Sequence, residues 1–425
     1  MRPTASPIIS SVPGLRGVSG WQAAAMALVA LTSLQAATLK PYLVLVSGSR
    51  ANLFTTLLCA LCLLAAVAGA AGMRPRPRPL EWLGTAALLL LALASGLASA
   101  EPLESTLRSA AVMLPAAGGF WCGRVLVTGR ARAEGLAWLC CLALGLMLVF
   151  SLVSWLRFGQ VWRLLDANPH PYAARLIALS FGPLALALIG AGRRRLAAWA
   201  SLAVTFLTLF ATSLRSAVVA PAVMTLLGLG WVRAARRWLL VGLLAAVAVA
   251  AVFFAVFPDK RAELTPTSPP VYYRLESYAF AWHVTMAHPW LGVGLRAPRG
   301  HLLADYQMRL APVSKQKFAD YLDLVVTHEN VVLTFMAGLG LPFTLLYLAL
   351  LALALAAGLR PRPADPPGWR ALRLALALPL AGLLYHFMVF DGLLHPQVGW
   401  FFHLLVGTGV GLGQSTHNAT GATIL

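Results

Sequence analysis

Long apolar runs separated by short polar segments dominate the chain. An α-helix needs about 20 apolar residues to cross the hydrocarbon layer of a bilayer, which is roughly 30 Å thick. We predict twelve such spans, at residues 20–38, 52–72, 82–100, 105–122, 135–156, 173–191, 195–212, 216–233, 237–256, 329–357, 371–390 and 398–413. Strands of a membrane barrel are much shorter and alternate in polarity. The pattern therefore predicts an all-α fold, a polytopic transmembrane helical bundle.

One connection between the predicted spans is much longer than the others. It divides the chain into helices one to nine at 1–256, a loop domain at 257–328, and helices ten to twelve with a tail at 329–425. Loops of this length are usually functional or disordered. This one contains the aromatic stretch "PPVYYRLESYAFAWHVTMAHPWLGVGL", which argues for order.

A helix is expected in this aromatic stretch. Pro270 suits the first turn of a helix, and apolar residues then recur at steps of three and four along one face. That face consists of Leu275, Tyr278, Ala279, Trp282 and Met286. We predict an amphipathic helix that lies on the membrane or over the bundle. The glycines of the following "HPWLGVGL" are explained by a turn.

The composition is typical of a membrane protein, because 59% of the residues are hydrophobic and only 11% are charged. The net charge of +19 would also suit a nucleic-acid binder. However, the basic residues form short patches in every second loop, as the positive-inside rule requires. With the N-terminus inside, 18 of the 33 Lys and Arg residues lie on the cytoplasmic side. We therefore expect both termini in the cytoplasm and no nucleic-acid partner.

The same assignment leaves some arginines on the outer side, where topology does not explain them. Arg215 lies in the tight hairpin "ATSLRSAVVAP", and Arg274 lies at the start of the loop helix. A charge at a buried membrane position costs at least about 2.5–3.5 kcal/mol, so an intramembrane arginine marks a functional site by default. A guanidinium also has a fork geometry suited to phosphate oxygens. Each arginine could instead be a snorkelling side chain or an exposed ion pair.

The loop re-enters the membrane at "THENVVL". If Thr327 is near the helix N-cap, His328 and Glu329 occupy the first turn, where the helix dipole favours a neutral imidazole and an anionic carboxylate. A neutral imidazole can accept a proton, so His328 is a candidate base. An interfacial histidine that only hydrogen-bonds to the loop is the structural alternative. For Glu329, pairing with the helix dipole is a sufficient explanation.

Further polar residues on the outer side are candidates for lining a site. They are Arg157, Arg163, His170, Arg175 and Asp391. A turn accounts equally well for "NPHPY" around His170. No metal site is expected, because the Cys59-x-x-Cys62 pair lacks a second ligand pair at suitable spacing and small apolar packing residues explain it.

Together, these features resemble the O-antigen ligase family, within a larger group that includes O-antigen polymerases and bacterial O-linked oligosaccharyltransferases. The resemblance is carried by the twelve-span layout, the long outer loop, "TSLRS" around Arg215, the segment from Arg274 to "HPWLGVGL", and "HEN" followed by an apolar helix with "GLG". Glu329 departs from the pattern, because a small polar residue is more usual directly after the histidine.

The resemblance implies a metal-independent, inverting glycosyltransferase without a cofactor, at the periplasmic face of the inner membrane of a Gram-negative bacterium. It implies a glycan on undecaprenyl diphosphate as donor and a sugar hydroxyl of lipid A–core as acceptor, with membrane lipids around the protein. His328 would be the base, and Arg215 and Arg274 would bind the diphosphate. A polymerase would use similar groups. A transporter of lipid-linked glycans or solutes is the alternative from another class, although the unexplained polar groups cluster at the outer rim rather than at the midplane.

Overall fold

The fold of the described residues is α-helical, as the hydrophobic pattern predicts. The structure, a computed structural model, describes residues 20–38, 44–46, 49–51, 53–71, 77–166, 168–231, 239–258, 269–295, 328–360, 365 and 367–420. One small antiparallel hairpin, β1 (Val44–Val46) and β2 (Ser49–Ala51), accompanies the helices.

Fourteen α-helices lie within these described ranges. They are α1 (Gly20–Thr38), α2 (Leu53–Ala71), α3 (Pro79–Leu97), α4 (Pro102–Leu126), α5 (Arg130–Phe158), α6 (Pro169–Leu179), α7 (Phe181–Ile189), α8 (Gly192–Ala211), α9 (Arg215–Trp231), α10 (Leu239–Val256), α11 (Pro269–Ala287), α12 (Val331–Leu359), α13 (Pro367–Phe387) and α14 (Pro396–Thr420). A short 3-10 helix, Gly392–Leu394, joins the last two.

Five helical segments of the described chain are long and apolar enough to cross a membrane. They are Pro79–Leu97, Arg130–Phe158, Pro169–Ile189, Gly192–Ala211 and Val331–Leu359. These segments make the chain a membrane-embedded protein. The count of twelve spans, the orientation and the division at 256 and 328 stay predictions. Of the long loop, 259–268 and 296–327 lie outside the described residues.

The centre of the bundle is the pair α4 and α14, and their backbones approach closely at glycines. A Cβ on Gly123 would lie 2.3 Å from the carbonyl oxygen of Leu404, and one on Gly407 would lie 2.0 Å from that of Phe120. Small residues allow this contact, which is typical of membrane helices because lipid gives little hydrophobic drive for their association.

Arg175, a predicted site-lining residue, is part of this core. Its side chain is fully buried, pairs with Asp166 and donates to the carbonyl oxygens of Ala36 and Ala37 at 2.9 and 3.1 Å. Carbonyls in the last turn of a helix lack partners within the helix. Arg175 therefore caps the C-terminal end of α1.

Helix α12 is broken at Gly340, whose φ of 86° and ψ of 168° are not helical. A stretch of backbone after α11 closes the break. Val293 N–H donates to the carbonyl of Ala337 at 3.1 Å, Gly294 N–H to that of Gly338 at 2.8 Å, and Leu341 N–H to that of Pro289 at 2.8 Å. Non-helical backbone is tolerated within a membrane bundle only where such groups are satisfied. The "HPWLGVGL" and "GLG" motifs are thus two sides of one contact.

The loop helix α11 is present as predicted, and it lies over α12. The predicted apolar face points away from the protein, since Leu275, Trp282 and Met286 are 57%, 54% and 59% exposed. The opposite face is buried and includes Ser277 and Ala281. Helix α11 therefore has one side packed on the bundle and an apolar side that is exposed.

We expect Gly340→Ala to destabilise the fold strongly. Its positive φ disfavours a side chain by about 1–3 kcal/mol, and a Cβ there would lie 2.3 Å from the carbonyl oxygen of Trp290. Gly145→Ala in α5 is the control, because a Cβ there meets no atom within 4 Å. Thermal unfolding of both variants in the same detergent should show a large drop for Gly340→Ala alone. Equal unfolding temperatures would contradict the role given to the break.

Candidate functional site

The start of α12 is set by Asn330, not by Thr327. The Asn330 side chain accepts from the N–H groups of Val332 and Leu333 at 3.0 and 3.1 Å, and the helix begins at Val331. The prediction that His328 and Glu329 lie in the first turn was wrong. The side-chain amide oxygen of Asn330 accepts hydrogen bonds from two N–H groups of the first helical turn, which have no partner within the helix. This favours a helix that starts after Asn330. Thr327 lies outside the described residues.

His328 is held in a buried position between α11 and α12, and its side chain is 1% exposed. The ring Nδ1 lies 3.1 Å from the Ser277 hydroxyl, and the Phe280 ring packs edge-on at 6.0 Å. The His328 backbone N–H donates to the hydroxyl of Thr334 at 3.3 Å. Contacts to both ring and backbone restrict this side chain to one orientation.

Arg274 and Glu329 join the loop helix to the residue beside the candidate base. The Arg274 Nε donates to the Glu329 carboxylate at 2.6 Å, with the two side chains 28% and 40% exposed. The expected role of Glu329 as a helix-dipole partner is therefore replaced by an ion pair. The φ of Glu329 is +49°, an unusual value for a residue with a side chain. Its carboxylate contacts α11 through Arg274.

Arg215 is the first residue of α9, directly after the predicted tight hairpin between α8 and α9. Its side chain is half-buried. Arg215 and Arg274 both lie within electrostatic range of the Tyr385 hydroxyl, near the end of α13.

His170 and Asp391 border the same region. His170 stacks on Phe390 with ring centroids 5.0 Å apart, and the charge of Arg274 acts on it. Asp391 is 5% exposed. Its charge acts on Tyr278 together with those of Arg274 and Glu329. His170, chosen from the sequence as a candidate, therefore packs on the residue that precedes Asp391.

Tyr278 and Asn330 were not predicted as site residues from the sequence. The Tyr278 hydroxyl and the Asn330 amide both donate to the carbonyl oxygen of Met388, at 3.3 and 3.1 Å. Burial raises the pKa of Tyr278, while the charge of Arg274 acts to lower it. The phenol therefore stays protonated near neutral pH and can donate. The sequence did contain a signal for Asn330, because asparagine is one of the residue types that favour the N-cap position of a helix.

The other predicted arginines lie in different surroundings. Arg157 and Arg163 are exposed, and their guanidinium groups lie 5.3 and 5.5 Å from the centre of the Phe158 ring. Arg175 is occupied in the cap of α1. The contacts of these three arginines thus explain their positions without a substrate-binding role.

The described residues contain no group of three or more His, Cys, Asp or Glu side chains that could hold a metal ion. Cys59 and Cys62 are buried as free thiols between packed helices, in line with the packing role predicted for them.

Part of the chain matches a known protein family. No curated protein matches the chain. Residues 200–348 match the family model described as O-Antigen ligase. That range contains Arg215, Arg274 and His328, the three residues that the sequence resemblance singled out. Residues 200–348 are therefore similar to the O-antigen ligase family, which confirms the resemblance inferred from the sequence.

Proposed function

We propose that the protein is an O-antigen ligase of the Gram-negative inner membrane. It transfers a glycan from undecaprenyl diphosphate to a sugar hydroxyl of lipid A–core, at the periplasmic face and with inversion at the anomeric carbon. The observation that carries the proposal is the 2.6 Å contact of Arg274 with Glu329, the neighbour of His328. This contact supports the proposal because Glu329 is the chain neighbour of the candidate base, within the range that matches the O-antigen ligase family model.

In the proposed reaction, His328 takes the proton of the acceptor hydroxyl. The acceptor oxygen attacks the anomeric carbon and forms the new glycosidic bond, while the bond from that carbon to the diphosphate breaks. Undecaprenyl diphosphate leaves with the electron pair, and the proton on His328 passes to water. A base aligned in this way typically contributes about 10²–10⁴-fold to the rate.

Arg215 and Arg274 stabilise the diphosphate as its negative charge grows. Stabilisation of developing charge by preorganised groups is often the largest catalytic effect. Two guanidinium groups can supply the positive charge that a divalent ion supplies in other enzymes, which supports a metal-independent reaction. A guanidinium has five N–H donors, so the Nε contact of Arg274 with Glu329 is compatible with phosphate binding.

A broken helix such as α12 is also found in membrane transporters. Transporters often bind substrate at discontinuous helices, through backbone groups left open by the break. Here the carbonyls of Ala337 and Gly338 accept from Val293 and Gly294, so these groups are occupied by the protein itself. This favours transfer over transport. A polymerase or an O-linked oligosaccharyltransferase would use the same site with a different acceptor.

The direct test of the base is transfer by purified protein from an undecaprenyl-diphosphate-linked glycan to lipid A–core, with a chelator present. Wild-type protein should be active with the chelator, and His328→Ala should lose at least about 100-fold. His288→Ala is the control, because His288 is an exposed histidine directly after α11. Full activity of His328→Ala would refute the base assignment, and loss of wild-type transfer with the chelator would refute the metal-free reaction.

The arginines can be tested separately from the base. Arg215→Ala and Arg274→Ala should abolish transfer while the proteins remain folded in the membrane. Glu329→Gln should change transfer by less than about tenfold, because a partly exposed ion pair contributes roughly 0.2–1 kcal/mol. Lysine in place of either arginine should restore only part of the activity, since it cannot bind phosphate in a bidentate way. Near-complete activity of Arg215→Lys would show that charge alone matters.

A further inference from the structure

A buried hydroxyl lies against the ring of His328. Ser277 is in α11, one turn after Arg274, and both Ser277 and His328 are 1% exposed. The Ser277 Oγ is 3.1 Å from His328 Nδ1. Phe280, one turn further along α11, packs edge-on against the same imidazole. The contact is therefore enclosed by protein and restricted in geometry.

The protonation of an imidazole depends on the partner of each ring nitrogen. If Nδ1–H donates to the Ser277 oxygen, Nε2 carries no proton and can accept one. If the serine hydroxyl donates to Nδ1 instead, the proton of the neutral ring is on Nε2, and that nitrogen can only donate. Only the first arrangement suits a base that acts through Nε2.

We propose that Ser277 is a positioning residue, which accepts the Nδ1–H of His328 and so keeps Nε2 available as the proton acceptor. This inference rests on the proposed function. When Nε2 takes the acceptor proton, the ring becomes a cation and its Nδ1–H bond to Ser277 strengthens, because hydrogen bonds from charged donors are stronger. Ser277 therefore stabilises His328 more as the reaction proceeds.

The same helix then controls both parts of the chemistry. Helix α11 carries Arg274, which faces the leaving group in the proposal, and Ser277, which orients the base. The buried face of α11, with Ser277, Phe280 and Ala281, packs beside the start of α12. Since α11 is one element, the spacing between Ser277 and Arg274 is fixed by three residues of helix, or roughly 4.5 Å along its axis.

The test compares Ser277→Ala with Ser277→Thr in the transfer assay. Thr285→Val is the matched control, because Thr285 is also fully buried on α11 and its hydroxyl donates within the helix to the carbonyl of Ala281 at 2.8 Å. Ser277→Ala should lower kcat by about 10–100-fold, the range for a hydrogen bond to a charged group, and leave both KM values within about twofold. Ser277→Thr should recover most of kcat, and Thr285→Val should match wild type.

Wild-type kcat in Ser277→Ala would overturn the inference. A rise in KM alone would also overturn it, and so would an equal loss of kcat in Thr285→Val. If Ser277→Thr unfolds at the wild-type temperature but is as slow as Ser277→Ala, the hydroxyl is not the group that matters. His328→Ala separates the two proposals: its full activity refutes the base itself, whereas an inactive His328→Ala beside a fully active Ser277→Ala refutes only the role of Ser277.

Discussion

The break in α12 at Gly340 leaves peptide groups inside a helical bundle, and these groups need hydrogen-bond partners from elsewhere in the protein. The segment after α11 supplies it through Val293 and Gly294. This pairing anchors the C-terminal end of α11 on α12. The helix then runs back over the start of α12, and its other end brings Ser277 to His328 and Arg274 to Glu329. The site thus depends on hydrogen bonds formed some distance from it.

Arginines in this protein have two distinct uses, which burial and partners separate. Arg175 and Arg373 are fully buried, each pairs with an aspartate, and each binds carbonyls at the end of a helix. Arg215 and Arg274 are only partly buried, and both lie within electrostatic range of Tyr385. A fully buried guanidinium that already has a carboxylate and carbonyl partners is part of the fold. The partly exposed pair is the one that we propose binds the diphosphate.

Much of this arrangement could be predicted from the sequence. The apolar runs predicted the helices, and Pro270 indicated the start of α11. Arg215 was predicted as a site residue because it is a charge in a tight hairpin that topology does not explain. The buried side of α11 could not be found in this way. In a membrane protein the lipid-facing side is the more apolar one, and packed sides favour small residues such as Ser277 and Ala281. The start of α12 was missed because Thr327 and Asn330 are both good cap residues, and the pairing of Arg274 with Glu329 depends on a loop fold.

We propose that this site transfers a glycan from undecaprenyl diphosphate to lipid A–core. A donor labelled in its glycan, given to purified protein together with lipid A–core, shows which molecule receives the glycan. We expect label on lipid A–core and release of undecaprenyl diphosphate. Label that stays on undecaprenyl diphosphate in a lengthening chain would refute ligation to lipid A–core and identify a polymerase instead.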